Sequence, residues 1–103
     1  MALKLGEGRK IVTTAATAVA LVSSSLAIDY VVITAETGTV ANTGYITVGD
    51  SSVIGADATR TGHPLAAGDS VTLYDVDLQE VYIDATVSTE GVTFIYGYSR
   101  VNQ

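Results

Sequence analysis

The sequence predicts an all-β fold: a small antiparallel β-sandwich or jelly-roll-like barrel of about eight short strands, with an extended N-terminal arm. Three observations carry that prediction. Residues 62–84, GHPLAAGDSVTLYDVDLQEVYID, place a Gly-Asp turn at Gly68 and Asp69 ahead of two alternating runs, 70–74 and 80–84. Val71 and Leu73 share one face of the first run, and Val81, Ile83 and then Ala85 share one face of the second. That period of two marks strands covering a core. Turn signals recur roughly every 8 to 12 residues, the spacing of a sandwich or barrel. No stretch after Ser25 has helical periodicity.

The elements follow in order. Residues 1–10 read as a basic arm ahead of a single domain at 11–103, because they contain Lys4, Arg9 and Lys10 and are loosened by Gly6 and Gly8. A free tail of this kind is disordered unless something ties it down. The arm is therefore expected to lie on a neighbouring subunit, with Lys4, Arg9 and Lys10 facing carboxylates and Leu3 and Leu5 supplying apolar contact. The uncharged run 11–28, with Ser25-Leu26-Ala27 near its end, imitates an export signal. Thr13, Thr14, Thr17 and three serines dilute it, which leaves it weakly apolar for a membrane span of about 20 residues. It is expected to stay on the chain as two β segments, 10–15 and 18–22, and a turn at 23–25; threonine and valine favour strands, while the alanines leave a short helix open.

Residues 30–35 are apolar on both faces, the mark of a central strand. Residues 36–43 form a turn-rich loop, with Gly38 and the Asn42-Thr43-Gly44 triplet tolerating positive φ. Residues 45–48 make the next strand, 49–51 a turn and 52–54 a short strand. Residues 55–68 are a connection without a period, and loops of that length often cover something. Glu90-Gly91 is expected as a two-residue hairpin turn between 83–87 and 92–98. The inward set is expected to include Val31, Ile33, Ile46, Val71, Leu73, Val81, Ile83 and Phe94.

A chain of 103 residues has room for one domain, whose small core leaves a thin stability margin. It contains no cysteine, which excludes disulfides, thiol chemistry and zinc-thiolate sites. Charged residues make up 16% of the chain and apolar ones 48%, against roughly a quarter charged in typical soluble domains. So little charge favours burial against copies of itself or a larger assembly. Residues 1–10 carry +2 and residues 11–103 carry −8. An acidic body repels phosphate backbones, so neither nucleic acid nor a membrane is expected as a partner.

Candidate chemistry is sparse. His63 is the only histidine and stands before a proline, where a solvated turn residue is expected; no strained nucleophile elbow accompanies the serines and aspartates. Asp75 and Asp77 form an Asp-x-Asp pair that could ligate a hard cation if Asp57, Asp84 or a carbonyl joined them, though the acid spacing of an EF-hand is absent. Tyr74, Tyr82, Tyr96 and Tyr98 could form a platform for sugar or line a subunit contact. No catalytic residue, cofactor or metal is assigned.

Four segments taken together resemble a known group: TTAATAVAL at 13–21, VVITAETGTVANTGYITVGDSSV at 31–53, HPLAAGDSVTL at 63–73 and DLQEVYIDATVSTEGVTFIY at 77–96. Their order is similar to that in small virion proteins of tailed bacteriophages, across about 85 residues. Ala16 stands where that pattern often has glycine, Asp69 where it often has glutamate, and Ser88-Thr89 lengthens the last turn. The resemblance implies a structural virion protein of the capsid cement or decoration type, made in the host cytoplasm and not secreted. It further implies an oligomer, with a trimer favoured, bound across major capsid protein joints. The alternative is a tail, neck or fibre component, or a surface module for a receptor or carbohydrate. Expected contact residues are Leu3, Lys4, Leu5, Arg9, Lys10, Tyr82, Tyr96 and Tyr98.

Overall fold

Eight strands form in the residues that the structure, a computed structural model, describes, namely 2–37 and 41–99. They are β1 (Lys4–Val12), β2 (Val19–Ala20), β3 (Ala27–Ala35), β4 (Ile46–Gly49), β5 (His63–Leu65), β6 (Ser70–Asp77), β7 (Tyr82–Ala85) and β8 (Glu90–Tyr98). Two four-stranded sheets result, in the orders β1-β8-β3-β6 and β2-β7-β4-β5, with every pairing antiparallel. Only β4 and β5 are both consecutive and paired; every other connection passes from one sheet to the other. The chain is an all-β sandwich, as the alternation requires.

Alternating residues fill the space between the sheets. β3 sends Ile28, Val31, Ile33 and Ala35 inward, β8 sends Val92 and Phe94, β4 sends Ile46 and Val48, and β7 sends Ile83 and Ala85. Leu65 of β5 and the loop and turn residues Leu21, Leu78 and Val81 complete this core, all at most 4% exposed. Val71 and Leu73, expected inside, are half-buried against the core at the sheet edge. The alternation slips once, at Asp29 and Asp75, where the β3–β6 ladder skips a pair and Asp75 takes a φ of 57°. Inward residues therefore step from Ile28 to Val31 on β3 and from Leu73 to Val76 on β6, while the register is kept.

Several local expectations are corrected. Residues 4–10 are not an arm apart from the domain; with Ile11 and Val12 they form β1, paired along its whole length with β8 from Lys4↔Tyr98 to Val12↔Glu90. Gly6 and Gly8 are the physical reason. Side chains there would sit 2.2 Å from the Tyr96 ring and 2.5 Å from the Phe94 ring, so the two glycines make the floor on which those rings lie. The hairpin expected at Glu90-Gly91 does not form: both residues belong to β8, the turn lies at 86–89, and β7 and β8 are in different sheets.

Of the expected short strand 52–54, only a single bridge from Ile54 to Thr61 exists. The connection 55–68 contains β5 instead, so His63 is an exposed strand residue opposite Val48 and not a turn residue. Pro64 fits there because β5 is an edge, where a missing N–H costs nothing. Gly38 of the expected loop lies outside the described residues.

Candidate functional site

One face of the sandwich is covered by the chain itself and the other is open. Over the short sheet, the segment ahead of β5 folds down on Thr47 and Asp84, which oppose each other at 0% and 2% exposure. The Asp84 carboxylate accepts from Gly55 N–H at 2.8 Å and from its neighbour Ala85 N–H at 2.8 Å. Its role is to hold that cover in place. Over the long sheet no described segment does the same, and alternation exposes Leu5, Glu7 and Arg9 of β1, Thr93 and Ile95 of β8, and Ser70, Thr72 and Tyr74 of β6.

This open face is large and partly apolar. Leu5 is 65% exposed, Tyr74 72% and Ile95 42%, and Val32 and Tyr30 of β3 lie half-buried among them. Tyr30 crosses the bare backbone of Gly97, where an added side-chain carbon would meet the ring at 2.4 Å. A shallow concavity of about 530 Å³ runs over Glu7, Arg9, Val32, Thr34, Thr93 and Ile95. A second of about 270 Å³ adjoins it at Thr34 and Thr93 and ends at Glu36 and Thr37. Along residues 30–35 of β3 and the strand segments beside it, Glu7 and Arg9 are the only acidic or basic side chains at outward positions, while Asp29, Asp75 and Asp77 lie past the slip at one end of the sheet.

The rim at Arg9 is well built. The Arg9 guanidinium donates through Nε and Nη2 to both oxygens of Glu36, the second contact at 3.0 Å, and the Glu36 side chain is 6% exposed against 54% for Arg9. The hydrogen bond to Glu36 and its charge hold Arg9 above its ordinary pKa. Behind the pair, Asn42 stands in for a strand: its Nδ2 donates to Gly91 O at 2.9 Å and its Oδ1 accepts from Gly91 N–H at 3.2 Å. Glu36 N–H also donates to Gly91 O, and Asn42 N–H to Glu36 O. The expected Asn42-Thr43-Gly44 turn is held by Glu90, which accepts from Thr43 N–H, Thr43 Oγ1 and Gly44 N–H at 2.6, 2.7 and 2.9 Å. Burial pushes the Glu90 carboxyl up, and those donors outweigh it, leaving the pKa below its ordinary value.

Residues considered for chemistry lie apart. Asp77 accepts from Ser25 Oγ, Leu26 N–H and Gln79 N–H, which lower its pKa and make it the cap of the 3-10 turn at Leu78–Glu80. Asp75 sits at the left-handed step of β6, and Asp84 is beneath the Gly55 cover. No group of three His, Cys, Asp or Glu suited to a metal occurs among the described residues.

The eight expected contact residues do not share one surface. Leu5 and Arg9 are on the open face, and Leu3, 40% exposed, adjoins it at Gly97. Lys4 and Lys10 project to the opposite side of β1, and Tyr82 belongs to the other sheet. Tyr96 and Tyr98 share the inward parity of Val92 and Phe94; Phe94 and Tyr96 stack at 6.1 Å, and Tyr98 lies tilted against Tyr96 at 5.9 Å. Tyr74, Tyr82, Tyr96 and Tyr98 therefore form no common platform. Ile95 and Val32 were missed; the period of two through the TFIY segment was the available signal. No protein-family model, curated protein or solved structure matches this chain.

Proposed function

We propose that this is a structural virion protein, a capsid cement or decoration protein that associates with itself and binds the outer surface of a phage head across joints of the major capsid protein. One observation carries the reading beyond the sequence resemblance. One broad sheet face lays Leu5, Ile95 and Tyr74 open, with Glu7 and Arg9 at one border and Asp29, Asp75 and Asp77 gathered at one end, past Tyr30 and Tyr74. Isolated surface apolars are ordinary, whereas a contiguous group on one flat face marks a contact with a large partner. The buried polar groups support a structural role, since Asp84, Glu36 and Asn42 each hold backbone or an ion pair.

The open face lies against the capsid, and the covered face with its loops looks outward. Shallow, mostly apolar contacts bind weakly one at a time, and attachment through several copies multiplies them. The test is the copy number of this chain in purified virions, read from a stained gel. Hundreds of copies per particle are expected. A few to tens would place the chain in the tail, neck or fibre, and none would end the virion reading.

A further inference from the structure

We propose that the outer edge of β1 pairs antiparallel with β1 of a second copy, across a two-fold axis at Gly8, joining two long sheets into one eight-stranded sheet. β1 ends the order β1-β8-β3-β6, so the backbone groups on its far side have no strand partner among the described residues. An edge of nine regular residues is a ready template for another strand. The opposite edge, β6, is a poorer one: its backbone turns left-handed at Asp75, and its terminal Asp77 carboxylate is already engaged.

What selects a second copy is that the β1 sequence, KLGEGRKIV, is complementary to itself about Gly8. In that register Glu7 faces the partner copy's arginine at position 9, and Arg9 faces its glutamate at position 7. Both lie on the open face. Glu7 has no ion-pair partner among the described residues, and Arg9 spends only Nε and Nη2 on Glu36, leaving Nη1 to donate. Leu5, 65% exposed, faces the isoleucine at position 11 and gains the cover it otherwise lacks. On the other side of the strand Lys10 faces a glycine at position 6 and Lys4 a valine at position 12, so no lysine opposes a lysine. A register shifted by two residues loses the paired exchange of Glu7 and Arg9.

The contact is isologous and closes at two copies, so the solution species is a dimer where the sequence suggested a trimer. A single strand pair falls at the small end of interface sizes, the class of weak and reversible contacts. The inference is independent of what the dimer binds. Sedimentation of the full chain is expected to show a monomer–dimer equilibrium. Glu7→Lys, an exposed change, should leave the circular dichroism unaltered and raise the dissociation constant about tenfold, as two attractive pairs become repulsive. The chain has no cysteine, so Lys4→Cys takes one spin label, and the two labels of a dimer should lie about 27 Å apart, eight residues along an antiparallel ladder. A monomer at all concentrations, growth beyond two copies, indifference to Glu7→Lys, or a label distance outside that range would each overturn the proposal.

Discussion

Replacing Gly91 with alanine should unlatch β1 from the sandwich. A Cβ at this position would lie 2.1 Å from Lys10 O and 2.8 Å from Ile11 Cα, both backbone atoms of the facing strand. Neither can rotate away, so β1 must retreat by about an ångström opposite Gly91, and hydrogen bonds near 2.9 Å stretch past their useful length. The same residue carries the Asn42 side chain and the Glu36 N–H on its other edge, so the strand cannot shift the opposite way without loosening those contacts. Overpacking costs about 1–3 kcal/mol, and one or two weakened hydrogen bonds add about 0.5–1.5 kcal/mol each. The sum, about 1.5–6 kcal/mol, is a large part of a small domain's stability. At about 4–8 °C per kcal/mol, the melting temperature should fall by roughly 6 °C or more. Thermal and urea melts of Gly91→Ala should be compared with Thr93→Ala, an exposed change on the same strand that should stay within about 0.5 kcal/mol. A Gly91→Ala melt within about 2 °C of the parent would refute the close β1–β8 approach.

Deleting residues 2–9 should destabilise the domain severely instead of trimming a dispensable arm, because β8 loses a neighbour and the Phe94 and Tyr96 rings lose their glycine floor; a truncated chain with an unchanged melt would contradict this. Tyr96→Asp should lower the melting temperature even in dilute monomer, since Tyr96 lies between Phe94 and Tyr98 against the core; an effect confined to association would show the ring to be a contact residue. Stability should also decline at acid pH. Asp50, Asp77 and Glu90 are held below their ordinary values of 3.8, 3.8 and 4.5, so their contribution is full above that range and is lost as pH falls through the lower folded values. Urea midpoints should hold from pH 7 to about 5 and drop below 4, and Glu90→Gln should lower the neutral-pH midpoint and flatten the acid decline. A midpoint that rises on acidification would refute the sign.

Where side chains alternate, the fold was legible in the residues. Val31, Ile33, Ile46, Ile83 and Phe94 lie inside as their spacing dictates, and both runs flanking Asp75 are strands. Pairing was less legible, because all but one of the connections cross between sheets, and local turn chemistry says nothing about which distant strand will be met. Glu90-Gly91 illustrates this: a good hairpin dipeptide is used for the close approach of β1, a contact some 80 positions away in sequence. Gly6 and Gly8 mislead for the same reason, since glycine in a strand reads as looseness until the ring lying over it is known. The open face was half legible. Leu5 and Arg9 were singled out, whereas Tyr96 and Tyr98 were drawn to the surface by their hydroxyls although their parity places them inward. Ile95 and Val32 look like core residues in sequence, and they face outward because no layer of the described residues covers them.

The most direct test of the open face as the capsid contact is saturation binding to purified phage shells that lack this chain. The parent and an Ile95→Asp, Tyr74→Asp double variant, matched for melting temperature, would be titrated and the bound copies counted per shell. Both residues project from the long sheet into solvent, so the exchange should leave the core intact while placing two charges on the face. The parent should saturate at hundreds of copies and the variant should bind at least tenfold more weakly, whereas equal occupancy by both would contradict the assignment of this face to the capsid.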